Sequence, residues 1–167
     1  AGWARDGFEK RLLPESNPLV GAAEKLGLGF QILDDVKNLT GGIAGKKRGD
    51  DIVEGKKSLP VVLFVNGEGE SGRETRAAFV MDYFEKAKAE GTEGQAAAEL
   101  IARLEKTGAL AGAEAEGRRI LDEAELALSA DYAADFPPPA ASGAAETESS
   151  VAEARRLLSS FVGMLVR

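Results

Sequence analysis

Apolar residues recur along most of the chain at spacings of three and four, the period of helices that pack on one side. The pattern predicts a first long helix from Asn17-Pro18 to about Leu39, with Asn17 as its cap and Pro18 in the first turn, where a missing donor costs nothing. Leu26, Phe30 and Leu33 take one side of it and Leu28, Ile32, Val36 and Leu39 another, so it is expected to lie among other helices. Before it, Trp3, Phe8 and Leu12-Leu13 fit a short helix ended by Pro14. Ser58 is placed to cap an apolar helix over Leu59 to Val65 that Asn66-Gly67 ends. Ser71 with Glu74 reads as a capping box opening a helix through about Glu90, with Phe79, Val80, Tyr83 and Phe84 inward. Thr92 with Gln95 reads as a second box, for a helix with Leu100, Ile101 and Leu104 on its core side. Thr107-Gly108 interrupts the spacing, which resumes from Leu110 to Tyr132 through Ile120, Leu121, Ala124 and Leu128. Residues 136–150, with three consecutive prolines, read as a mobile loop. Ser150 with Glu153 then opens a last helix whose inward face is Val151, Ala154, Leu157, Leu158, Phe161, Val162 and Leu165. No segment alternates as a strand would. The expectation is an all-α bundle of six or seven helices forming one domain over residues 1–167.

Composition narrows the chemistry. The 167 residues carry a net charge of −7, which argues against a nucleic-acid partner, since phosphate contacts need a basic face. The absence of cysteine and histidine removes thiolate and imidazole ligands, so any metal must sit on oxygen, as magnesium does. No apolar run approaches the roughly 20 residues of a membrane helix, and nothing near Ala1 resembles a signal peptide. A cytoplasmic, soluble protein is expected.

Against the apolar background, Gln31, Asp34, Asp35 and Asn38 fall at i, i+3, i+4 and i+7 and share a helix face. Adjacent carboxylates on a buried helix are costly unless paired, protonated or bound to a cation. Spacing leaves a solvent-facing polar surface equally open. From Thr40 to Lys57, five glycines interleave with Lys46, Lys47, Arg48, Lys56 and Lys57. Such a loop is either a solvated basic segment or a place where backbone and lysines approach phosphate. It lacks the order of a P-loop.

The sequence FQILDDVKN followed by GKKRGDDIVEGKKSLP closely resembles the second aspartate-rich region of the trans-isoprenyl diphosphate synthases, the polyprenyl synthetase family. The matching positions are Phe30, Gln31, Asp34, Asp35, Gly45, Lys46, Gly49, Asp51, Glu54, Gly55, Lys56, Ser58 and Pro60. LEKTGAL from Leu104 resembles the family's Lys-Thr-Gly helix break, and AEARRLLSSFVGMLVR its final helix. The resemblance implies the C-terminal half of the isoprenoid synthase fold, in which Mg2+ ions bridge aspartates to an allylic diphosphate that condenses head to tail with isopentenyl diphosphate. It implies Asp34 as metal ligand with Asp35 in support, Lys46 and Lys56 on the diphosphate, and Gln31 near the reacting carbons. Asn38 replaces the family's third aspartate and keeps an oxygen for the metal. The first aspartate-rich motif is absent from this chain: the other Asp-Asp pair, Asp50-Asp51, lies inside the loop, and Arg118-Arg119 belongs to a helix of the wrong half. The chain is therefore expected to need the missing half or a second subunit, as a homo- or hetero-oligomer, and to be inactive alone. A non-catalytic partner or regulatory subunit of a prenyl synthase is the alternative.

Overall fold

A computed structural model of the chain describes residues 18–41, 47–67, 70–131 and 160. The short helix expected before Pro14, the loop at 136–150 and the last helix, apart from Ser160, lie outside the described residues. Among those described, every regular element is helical and there is no strand, as expected. The helices are α1 (Pro18–Thr40), α2 (Asp50–Val53), α3 (Leu59–Asn66), a 3-10 turn at Glu70–Gly72, α4 (Arg73–Glu90), α5 (Gln95–Lys106) and α6 (Ala109–Asp131). None of them is long and apolar enough to cross a membrane.

The chain forms two compact units, one of residues 1–27 with 120–167 and one of residues 28–119. In the first, Ala22, Leu121 and Ala124 are buried, and Lys25 pairs with Glu123 at 2.9 Å.

In the second unit, α4 packs against α2, α3 and α5, and α3 also meets α5. The stripe on α5 is Ala96, Ala97, Leu100, Ile101 and Leu104, all buried, so the predicted core positions hold and two alanines widen them. On α4, Val80, Phe84 and Ala87 are buried, while Phe79 and Tyr83 are only half-buried and stack on each other at 4.4 Å between ring centroids. Pro60, Val61 and Phe64 turn inward on α3. Ile32, Leu33, Val36 and Leu39 do the same on α1, whereas Leu28 and Phe30 are 54% and 41% exposed, so this helix is not enclosed on every side. Gly117 of α6 allows a close approach to α1, because a Cβ there would lie 3.0 Å from Ile32 Cγ2 and Leu33 Cδ2.

Two expected caps are replaced. Helix α4 begins at Arg73 behind Gly72, so Ser71 lies in the preceding 3-10 turn and forms no box with Glu74. Helix α5 begins behind Gly94, and the amide of Ala96 donates to Glu90 Oε2 at 2.9 Å, so the end of α4 satisfies the orphan donor assigned to Thr92. Ser58 stands at the N-cap of α3 as expected, but its hydroxyl makes no cap bond and is buried without a partner.

Candidate functional site

The polar face of α1 rotates from solvent into the core as it descends. Gln31 is exposed, Asp34 half-buried, Asp35 6% exposed and Asn38 1% exposed. Gln31 Nε2 donates to Asp35 Oδ1 at 2.8 Å, the i, i+4 contact that the spacing predicts. Asp34 makes no hydrogen bond or ion pair with a described residue.

Asn38 serves the fold. Its side-chain oxygen accepts from the Asp51 amide at 3.3 Å, and its main-chain oxygen accepts from the Gly49 amide at 3.1 Å. Its Nδ2 is buried with no partner. An amide that must face an N–H with its oxygen is oriented by that contact, so the oxygen the sequence reserved for a metal is already engaged at the start of α2.

Helix α2 lies inside the stretch expected to be loop. Gly49 precedes it at φ 85°, a left-handed conformation that disfavours a side chain, and a Cβ there would meet Ile101 Cδ1 at 3.2 Å. Gly55 ends it at φ 70°, with its own amide on the Ile52 carbonyl at 3.0 Å and the Lys56 amide on the Asp51 carbonyl at 2.8 Å. These paired bonds form a Schellman stop. It folds Lys56 back over the turn, and Lys56 Nζ reaches Asp35 Oδ1 at 2.5 Å and Asp51 Oδ2 at 3.3 Å. Asp51 is 4% exposed, so two buried carboxylates from different helices share one ammonium. Partial burial lowers the Lys56 pKa, but the hydrogen bond and charge of Asp35, then those of Asp51, outweigh it and hold the ammonium above its ordinary 10.5.

The rest of the basic cluster faces elsewhere. Lys47 pairs with Glu93 at 2.8 Å. Arg48 donates from Nε to the Leu39 carbonyl at 2.8 Å, satisfying an orphan oxygen at the end of α1, and reaches Glu105 at 3.1 Å. Lys57 lines an open apolar groove of about 300 Å³ between α3 and α4, away from the acidic pair. Lys46 lies outside the described residues. Of the residues the sequence singled out, the structure thus brings Gln31, Asp35 and Lys56 into direct contact, with Asp34 beside them on α1. The participation of Asp51 was missed. Its signal is the Gly49-to-Gly55 bracket, which forces a single turn and places Lys56 over a carboxylate five residues earlier.

No three carboxylates among the described residues converge on one point. A half-buried, unpaired Asp34 next to Asp35 is still a donor pair suited to magnesium, which binds through one or two carboxylates and completes its shell with water and substrate phosphate. The residues present fit that ion. A family model described as polyprenyl synthetase matches residues 13–101, more than half of the chain. No curated protein and no solved structure matches it.

Proposed function

The chain belongs to the polyprenyl synthetase family, and on that premise we propose that it carries the second aspartate-rich half of a trans-prenyl diphosphate synthase site. Membership supports a prenyltransferase-type function; the half-site, its substrates and the residue roles are our reading. The observation that carries it is the meeting of the α1 carboxylates with a lysine delivered from the following turn, the juxtaposition of charges that a metal diphosphate needs.

On this reading Asp34 and Asp35 hold Mg2+, and Asn38 fixes the start of α2 so that Asp51 and Lys56 stand opposite them. Lys46 and Lys56 bind the diphosphate, and Gln31, tied to Asp35, lies toward the reacting carbons. Bound divalent ions supply neutralisation of the leaving diphosphate. The lysines add fixed positive charge where negative charge develops as the allylic carbon–oxygen bond of the substrate breaks. Proton chemistry by histidine or thiolate is not required of this half. The facing carboxylates and the isopentenyl diphosphate site come from another segment or subunit.

Calorimetry with Mg2+ and pyrophosphate tests the half-site: the native chain binds, and Asp34→Ala weakens binding by about 100-fold or more, beyond what an outer-shell residue contributes. Pyrophosphate binding that ignores both Mg2+ and Asp34 would sink the assignment. Incubation with an allylic diphosphate, isopentenyl diphosphate and Mg2+ tests incompleteness. Elongation is expected only with a chain supplying the first aspartate-rich motif, and robust elongation by this chain alone overturns that part. Binding without elongation in the presence of such a partner favours a regulatory subunit instead.

A further inference from the structure

Asp35 and Asp51 are both more than nine-tenths buried, and among the described residues Lys56 is the one cation in hydrogen-bond contact with either. Removing carboxylates from water is tolerated only when each is paired. The geometry of the turn shows how the pairing arises. In a Schellman stop the residue after the left-handed glycine lies back against the last helical turn, where an apolar contact commonly forms. Here that place is taken by Lys56, whose stem follows the turn and whose ammonium touches first Asp51 on its own helix and then Asp35 on α1. A lysine that only awaited phosphate would need no such partners. Asn38 makes one cation sufficient: its oxygen accepts the Asp51 amide, as an aspartate oxygen also would, without adding a third negative charge beside Asp35 and Asp51.

Resting on the half-site reading above, we infer that Lys56 is a stand-in counter-ion on Asp35 in the unloaded chain, that a divalent cation must displace it, and that Asp51 is the positioning residue that then keeps Lys56 beside the site. Metal and Lys56 compete for Asp35. Once displaced, the ammonium is retained by Asp51 within reach of the diphosphate rather than released to solvent. The same lysine thus stabilises the empty fold and holds the loaded ligand.

The test is titration of Mn2+ alone into the 167-residue chain, read by calorimetry and by loss of the free-ion paramagnetic resonance signal, with melting of the metal-free protein recorded in parallel. Removing the competitor in Lys56→Gln is expected to tighten Mn2+ binding by about tenfold while lowering the metal-free melting temperature by several degrees, a loss that saturating Mn2+ restores. Lys56→Arg, which keeps the charge in a more rigid fork, is expected to melt like the native chain and bind Mn2+ more weakly. Asp51→Asn leaves Mn2+ binding within about threefold but weakens Mg2+-dependent pyrophosphate binding by about tenfold. If the native chain binds Mn2+ and pyrophosphate and Lys56→Gln binds Mn2+ no more tightly, the competition is wrong and the half-site reading survives. If neither chain binds Mn2+, both fall. Should Lys56→Gln not fold, Lys56→Arg decides: weaker Mn2+ binding supports the competition, and equal or tighter binding overturns it.

Discussion

The turns at Glu54-Gly55-Lys56 and Thr107-Gly108-Ala109 both stop a helix with a glycine in the left-handed region, at φ 70° and 75°. In both, the glycine amide donates to the carbonyl three residues back, at 3.0 Å. Beyond the glycine the two differ. The second turn delivers Ala109 and Leu110 into an apolar core beside Leu104, where each side chain is held by contact with its neighbours. The first delivers a lysine, 36% exposed, onto two buried carboxylates. One backbone device therefore serves two ends. In the apolar case what it carries adds to stability directly. In the charged case, stability depends on the count of charges, because three groups share an interaction that balances for two.

That contrast can be broken by substitution. Leu104→Ala at the apolar turn is expected to cost about 2–5 kcal/mol by denaturant unfolding, through lost transfer energy and the cavity left behind, with pyrophosphate binding by the folded fraction unchanged. A loss under about 1 kcal/mol would mean that the core collapses around the site. At the charged turn, Lys56→Gln leaves two buried carboxylates unpaired and is expected to cost about 1–3 kcal/mol, discounted because a third of the lysine is in solvent. Asp51→Asn relieves the repulsion between the pair and should stay within about 1 kcal/mol. Equal losses for the two would refute the charge-count argument. Next come the glycines: Gly55→Ala and Gly108→Ala each force an alanine into the left-handed region at about 1–2 kcal/mol. The stability losses should match, since a new Cβ meets nothing closer than 3.7 Å at Gly55 and nothing within 4 Å at Gly108. Only Gly55→Ala, by turning Lys56 aside, is expected to weaken Mg2+-dependent pyrophosphate binding. The smallest effect belongs to the exposed Lys47–Glu93 pair. Its hydrogen bond with Lys47, then the lysine charge, holds the Glu93 carboxyl below its ordinary 4.5. A carboxyl with a lowered folded pKa stabilises above its unfolded value and loses that contribution as pH falls through the folded value. Glu93→Gln should therefore change the melting temperature by about 1 °C or less at neutral pH, with the difference vanishing in acid below 4.5.

The elements that the chain announces locally were legible. Asn17-Pro18 marked the start of α1, the spacing of Leu100, Ile101 and Leu104 marked α5, and Thr107-Gly108 marked the break before α6, because each depends on residues within one or two turns. Helix α2 was missed because four residues are too few to show a period. Ser71 and Thr92 suggested caps by sequence, but neighbouring glycines and Glu90 took those positions, a competition that only the folded chain resolves. The carboxylates on α1 were visible by their spacing. Their partition was not, since which of Asp34, Asp35 and Asn38 faces water depends on what α2 and its following turn bring against them. The i, i+4 rule placed Gln31 on Asp35, and only the tertiary fold could place Asp51 across from it.

The segment between Thr40 and Gly49 is anchored at both feet: Gly41 and Gly49 donate to carbonyls of α1, and Arg48 ties the same helix end to Glu105. A loop whose ends are already held within hydrogen-bonding distance can change length cheaply, since each doubling costs only about 0.6 kcal/mol in closure entropy. Variation in residues 42–46, Lys46 among them, is thereby uncoupled from the folding of the helices on either side. Selection can alter what this loop offers to a ligand while the scaffold that carries it stays the same.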